Sequence, residues 1–153
     1  MRKLFLYYSR TGNGDLVANY FKRYDFETYK VEPKHELPKS FFWGTLFGGM
    51  LAGMNRKATL KDFKINLNDY DEIVVGSPTW NGKFSTPINT VLKKLKNYNG
   101  KVLFVLYAGG GEAKQATLKV SKMYADTRSI VLKEPKKYQE QFDLLDEFIR
   151  KNG

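Results

Sequence analysis

The chain has 153 residues, about one domain's worth, of which 42% are hydrophobic and 27% charged. That balance belongs to a globular chain with one core and excludes a disordered one. It has no cysteine, which excludes disulfides, thiolate catalysis, iron–sulfur clusters and cysteine-based zinc sites. The single histidine, His35, excludes a zinc site built on several histidines. What remains is chemistry done by backbone, hydroxyls, aromatics and carboxylates, or by a bound organic cofactor.

Twenty-six Lys and Arg against 16 Asp and Glu give a net charge of +10. Such a charge favours anionic partners of any class. The lysines are scattered along the whole length, with no basic stripe or binding motif, so nucleic acid is not an expected partner. The amino-terminal stretch 1–8 is too short for a secretory signal. The longest uncharged run, residues 40–55, is shorter than the ~20 apolar residues of a membrane span and contains four glycines. No transmembrane segment is expected, and the expected location is cytoplasmic.

Residues 3–8, Lys-Leu-Phe-Leu-Tyr-Tyr, form a near-continuous apolar run that suits a strand buried on both faces. The run ends in Ser9-Arg10-Thr11-Gly12-Asn13-Gly14. Leu16, Val17, Tyr20 and Phe21 then fall at helical spacing over 15–22. A short second strand is predicted over 27–31. A third, over 71–77 and centred on Ile73-Val74-Val75, ends in Ser77-Pro78-Thr79-Trp80-Asn81-Gly82. The helix predicted over 87–96 has proline in its first turn and Ile88, Val91, Leu92 and Leu95 on one face. A fourth strand over 101–107 ends in Ala108-Gly109-Gly110-Gly111. A helix over 112–124, a fifth strand over 129–132 and a closing helix over 137–150 complete the pattern. The last helix turns Phe142, Leu145, Phe148 and Ile149 inward.

Strands alternating with helices predict an α/β fold, a parallel sheet covered by helices on both faces, in a single domain over 1–153. Ligands of such sheets bind at the carboxyl ends of the strands. Three of the apolar strands end there in glycine-bearing loops. The first loop opens a helix, whose N–H groups and dipole favour an anion. Ser9, Thr11 and Asn13 add polar groups to it. It is neither a Walker loop, which needs Gly-Lys-Ser/Thr, nor the dinucleotide fingerprint, since position 17 is Val. A strand–helix turn rich in capping residues would read the same way. Trp80 offers a flat apolar surface to a planar ligand, or packs on a neighbouring loop. Asn81-Gly82 suits positive φ. Gly109-Gly110-Gly111 brings bare backbone to a ligand, or is a flexible turn.

Leu6-Tyr7-Tyr8-Ser9-Arg10-Thr11-Gly12-Asn13, Val74-Val75-Gly76-Ser77-Pro78-Thr79-Trp80 and the loop after Tyr107 together resemble the flavodoxins, over essentially the whole chain. The resemblance implies noncovalent FMN and a three-layer, doubly wound, five-stranded sheet of order 2-1-3-4-5, the order for which flavodoxin is itself the standard example. It implies that Ser9, Arg10, Thr11, Gly12, Asn13 and Gly14 surround the phosphate. Ser77, Pro78, Thr79 and Trp80 would line the isoalloxazine, with Asn81-Gly82 near flavin N5. Ala108, Gly109, Gly110 and Gly111 would approach its pyrimidine end.

Three departures from that family stand out. Gly14 replaces a customary threonine, so restoring the hydroxyl by Gly14→Thr is expected to hold or tighten FMN. The third loop has no aromatic to cover the outer flavin face. The chain is basic where most flavodoxins are acidic, which implies a redox partner protein with an acidic docking surface; the chain itself is expected to be a monomer or weak dimer. The run 41–51 is either a sheet-covering helix or an aromatic cover or docking surface near the flavin. Two functions are consistent with these residues. One is electron transfer through FMN, with no protein acid, base or nucleophile. The other is a small flavodoxin-fold oxidoreductase, such as a quinone reductase or a protoporphyrinogen oxidase-like enzyme.

Overall fold

The computed structural model describes residues 1–36 and 56–152, and the aromatic run 41–51 lies outside them. In chain order the elements are β1 (Lys3–Tyr7), α1 (Asn13–Phe21), β2 (Phe26–Lys30), β3 (Glu72–Trp80), β4 (Lys83–Phe84) and α2 (Thr86–Lys94). They continue with β5 (Lys101–Ala108), α3 (Lys114–Met123), β6 (Arg128–Lys133) and α4 (Gln141–Asn152). The strands form one sheet of order β2-β1-β3-β5-β6, with the two-residue β4 paired to the end of β3. All pairings are parallel except that of β4. Counting the parallel strands alone, the order is the expected flavodoxin-like 2-1-3-4-5.

The period-two alternation of strand side chains divides the apolar runs between two layers. Leu4, Leu6, Ile73, Val75, Phe104 and Leu106 face Ile88, Val91 and Leu92 of α2 and Ala116 and Val120 of α3. Phe5, Tyr7, Val74, Leu103, Val105 and Tyr107 face Val17 and Phe21 of α1 and Leu145 and Ile149 of α4. The central strands β1, β3 and β5 are buried on both faces for most of their length. This is why they read as continuous apolar runs rather than alternating ones. The edge strands β2 and β6 are half-exposed.

Register brings the strand ends together. Tyr7 pairs with Gly76, and Pro78 pairs with Tyr107. The chain after Tyr7 stays on the same edge, because the Tyr8 N–H donates to the Gly76 carbonyl at 3.1 Å.

Two elements differ from the sequence-based expectation. The third strand does not end at 77: it continues through Pro78 to Trp80, and Thr79 and Trp80 pair with Phe84 and Lys83. Proline fits there because β1 has ended by that level, leaving β3 flanked by one parallel strand only. The last helix begins at Gln141 rather than 137. The intervening residues form a tight turn in which the N–H groups of Lys137 and Tyr138 both donate to the Glu134 carbonyl, at 2.7 and 3.1 Å.

Candidate functional site

The loop between β1 and α1 is built by its own side chains. Gly12 caps the helix at φ 96°, in the left-handed region that glycine adopts without strain. Its carbonyl accepts the Leu16 N–H at 3.1 Å. Ser9 is buried, and its Oγ accepts the Gly14 N–H at 3.1 Å. The Ser9 hydroxyl also helps to hold the Asp15 carboxyl in its charged form, so its proton is engaged within the loop. Asp15 further accepts from Lys30 Nζ at 2.7 Å and the Tyr7 hydroxyl at 3.1 Å. Burial raises the Asp15 carboxyl, but the hydrogen bonds from Lys30, Ser9 and Tyr7 outweigh it and hold the group below its usual range. Thr11 remains exposed at the loop tip. Further N–H groups of the first turn lack helical partners, as at any helix start.

Gly14 does not mark a lost hydroxyl, and Gly14→Thr is not expected to tighten FMN. A Cβ there would stand 2.5 Å from the Tyr107 hydroxyl and 2.8 Å from Ser9 Cβ. The space is occupied by the Tyr107 phenol, which reaches from β5 and donates to the Tyr8 carbonyl at 2.7 Å. Burial raises the phenol's pKa well above its ordinary value, so it remains a neutral donor at every working pH.

The second segment is a hairpin. Asn81 and Gly82, at φ 52° and 75°, make the two-residue turn between β3 and β4. Positive φ at both positions is the mark of a type I′ turn, which Asn-Gly favours. The Gly82 carbonyl accepts the Ala116 N–H from the first turn of α3 at 2.9 Å, anchoring the hairpin. Ser77 is fully buried beneath it, donating to the Pro78 carbonyl at 2.8 Å and lying 3.2 Å from Ser85 Oγ. Trp80 is half-buried and meets Tyr8 edge-to-face, with ring centroids 6.0 Å apart at 87°. The third loop is a turn closed by the Gly111 N–H on the Ala108 carbonyl at 3.2 Å. Gly109 and Gly110 border open space.

A cleft of about 1140 Å³ runs along this edge. Eight of the expected residues line it: Ser9, Arg10, Thr11 and Asn13 from the first loop, Pro78, Thr79 and Trp80 from the second, and Gly109 from the third. Gly12, Gly14, Ser77, Asn81, Gly82, Ala108, Gly110 and Gly111 shape the three segments without lining the cleft. Sequence reasoning did not place Tyr8 and Tyr107 there, nor Lys30 at the end of β2 with Val31, Glu32 and Glu36 after it, nor Glu134, Lys136 and Lys137 after β6. The two last groups were open to the same rule that found the others, because they too follow the carboxyl ends of parallel strands. Tyr8 donates to Glu36 at 3.2 Å, and burial followed by that carboxylate raises its phenol.

The donor set fits FMN. A phosphate would meet the start of α1, the Thr11 hydroxyl and the nearby Lys136, while the one carboxylate in the helix's first turn, Asp15, is paired with Lys30. A planar ring system would meet Trp80 and bare backbone at Gly109. At about 1140 Å³, the cleft exceeds the ~300–1,000 Å³ usual for small-ligand sites.

Fold and cleft together define a flavodoxin-like α/β protein with a cleft at the carboxyl edge of its sheet. The sequence profile of the NADPH-dependent FMN reductase family matches residues 8–136. The chain belongs to that family and is an FMN-binding flavoprotein; it is not placed among the flavodoxins in the strict sense. No curated protein matches it. A flavoprotein from Lactobacillus acidophilus NCFM, solved in complex with FMN, is 24% identical, with TM-score 0.68 over 92% of this chain and 97% of its own. A structure from Bacteroides eggerthii DSM 20697 is 18% identical, with TM-score 0.71 over 95% and 96%. One from Bacteroides uniformis ATCC 8492 is 21% identical, with TM-score 0.66 over 86% and 90%. At these identities the likeness is one of fold. Among the described residues, no helix is long and apolar enough to cross a membrane.

Proposed function

We propose that this chain is an FMN-dependent reductase that draws electrons from a reduced nicotinamide nucleotide and passes them to a small acceptor, a quinone or a free flavin. One observation carries this reading beyond family membership. The cleft extends past the phosphate loop and Trp80 to Val31, Glu32 and Glu36, so a second planar molecule has space beside the first. The third loop, on the β5 side of the cleft, consists of Ala108 and three glycines and supplies no aromatic to cover the ring.

FMN, when bound, supplies the acceptance and release of one or two electrons. The chain holds and orients it. The α1 N–H groups and Thr11 take the phosphate. Trp80, Pro78 and Thr79 line one side of the ring, and the Asn81-Gly82 turn fixes where that side lies. Tyr8 keeps its proton, since burial and Glu36 both disfavour the phenolate. It therefore serves as a rigid neutral wall against which Trp80 is set.

The test is NADPH oxidation by the FMN-loaded protein with a quinone or free FMN and no added reductase. Steady turnover is expected; its absence, with reduction only by a second redox protein, would overturn the reading. That outcome would favour an electron carrier instead, which the +10 charge suits through an acidic docking partner.

A further inference from the structure

We propose that Lys136 adds a charge-based preference for the phosphorylated flavin, FMN, over riboflavin to that of the loop's own donors, and that Asn13 is the residue that sets it in place. The inference rests on the phosphate lying at the 9–14 loop, as read above.

The side chain of Asn13 does not present its oxygen to the cleft. Its Oδ1 accepts the backbone N–H of Lys136 at 2.9 Å, across 123 positions of sequence. Its Nδ2 faces Thr11 Oγ1 at 3.5 Å. The bond ties the turn after β6 to the loop after β1. Lys136 Nζ in consequence lies 3.4 Å from the Thr11 carbonyl and 3.6 Å from the Cβ position of Gly12. An ammonium is thereby fixed on the loop that opens α1.

The neighbouring lysines are committed elsewhere. Lys133 and Lys137 hold their ammonium groups 5.1 and 5.3 Å from the Tyr138 ring centroid. Lys137 also lies 3.9 Å from Glu134, and Lys30 is paired with Asp15. Among the described residues no ion pair involves Lys136. Glu134, at φ 37°, supplies the left-handed corner that turns the chain so that Lys136 meets the loop.

A flavin phosphate carries about −1.5 to −2 charges, and riboflavin carries none. Thr11 and the N–H groups of α1 act on the phosphate through short-range hydrogen bonds. A fixed ammonium adds a Coulombic attraction that grows with the phosphate charge, weakens with salt and is absent for riboflavin. Because Lys136 is exposed, its contribution is screened by salt and stands at the lower end for a charge-assisted contact.

The experiment titrates apo-protein with FMN and, separately, with riboflavin, following flavin fluorescence at two salt concentrations. Lys136→Gln should weaken FMN about three- to tenfold, leave riboflavin within twofold, and flatten the salt dependence of FMN binding. Asn13→Ala should move FMN in the same direction, and Lys136→Arg should restore much of the preference. Lys122→Gln, in the last turn of α3 at the opposite edge of the sheet, removes the same net charge and should do neither. Equal loss of both flavins in Lys136→Gln would make the residue a prop for the turn and overturn the proposal. So would an equal effect from Lys122→Gln. If Thr11→Ala weakens FMN and Lys136→Gln does not, the loop holds the phosphate without Lys136. If neither variant touches FMN, the phosphate lies elsewhere and the reading of the loop itself fails.

Discussion

The hydroxyl of Tyr107 stands 2.5 Å from where a side chain on Gly14 would begin, and it donates to the Tyr8 carbonyl at 2.7 Å. One phenol from β5 thus pins the end of β1 and occupies the space beneath the first turn of α1. Tyr107→Phe should leave a buried carbonyl without its donor and cost about 1–3 kcal/mol. Gly14→Ala should cost about the same by overpacking against Tyr107 and Ser9. The double variant should cost less than the sum, because removing the hydroxyl relieves part of the clash. Denaturant midpoints of the four proteins test this, and strict additivity would contradict it.

Thr11 is the exposed hydroxyl of the first loop, since Ser9 is engaged with Gly14 and Asp15. Thr11→Ala should weaken FMN about ten- to a hundredfold, the cost of one hydrogen bond to a charged group. Ser9→Ala should lower stability more than it lowers the ratio of FMN to riboflavin affinity. A reversed ranking in thermal melts and flavin titrations would show that Ser9 faces the phosphate after all.

Trp80 should report on the flavin. With Trp43 replaced by phenylalanine, Trp80 is the remaining tryptophan, and its emission should fall when FMN binds. Trp80→Ala should weaken FMN by about 1 kcal/mol, near fivefold. Unquenched emission would mean that Trp80 serves only as the edge-on partner of Tyr8.

The hairpin and the third loop should respond differently to a methyl group. Gly82 has open space around its Cβ position but φ 75°, so Gly82→Ala is expected to cost about 1–2 kcal/mol from backbone strain alone. Gly109 has the same open space without positive φ. Gly109→Ala should change stability by less than about 0.5 kcal/mol, while narrowing the cleft it lines. Melting curves without flavin separate the two effects from binding.

Asp15 should contribute to the acid limb of stability. Its folded pKa is lowered by Lys30, Ser9 and Tyr7, so the stabilisation is present above the ordinary aspartate value of about 3.9 and is lost as pH falls through the folded value. Asp15→Asn should flatten the stability profile below about pH 4 and leave its slope near neutrality unchanged. An unaltered acid limb would show that the unfolded chain holds Asp15 in an equally favourable setting.

What the sequence determined by itself is local or periodic. Leu4 to Tyr7, Ile73 to Val75 and Val102 to Leu106 are apolar on consecutive positions, which only a strand covered on both faces tolerates. Asn81-Gly82 carries its turn chemistry in two adjacent residues. From such features the sheet, its ligand edge and the three segments around the cleft follow. Other contacts needed the tertiary structure, because they depend on which strand ends come to lie side by side. Gly14 reads in isolation as a missing hydroxyl and proves to be clearance for Tyr107, 93 positions later in the numbering. Asn13 reads as a phosphate donor, yet its oxygen holds Lys136. Lys136 reads as one of many scattered lysines. Its place depends on the parallel order that brings the end of β6 to the same edge as the end of β1, and on a left-handed corner at Glu134 that no local residue preference announces.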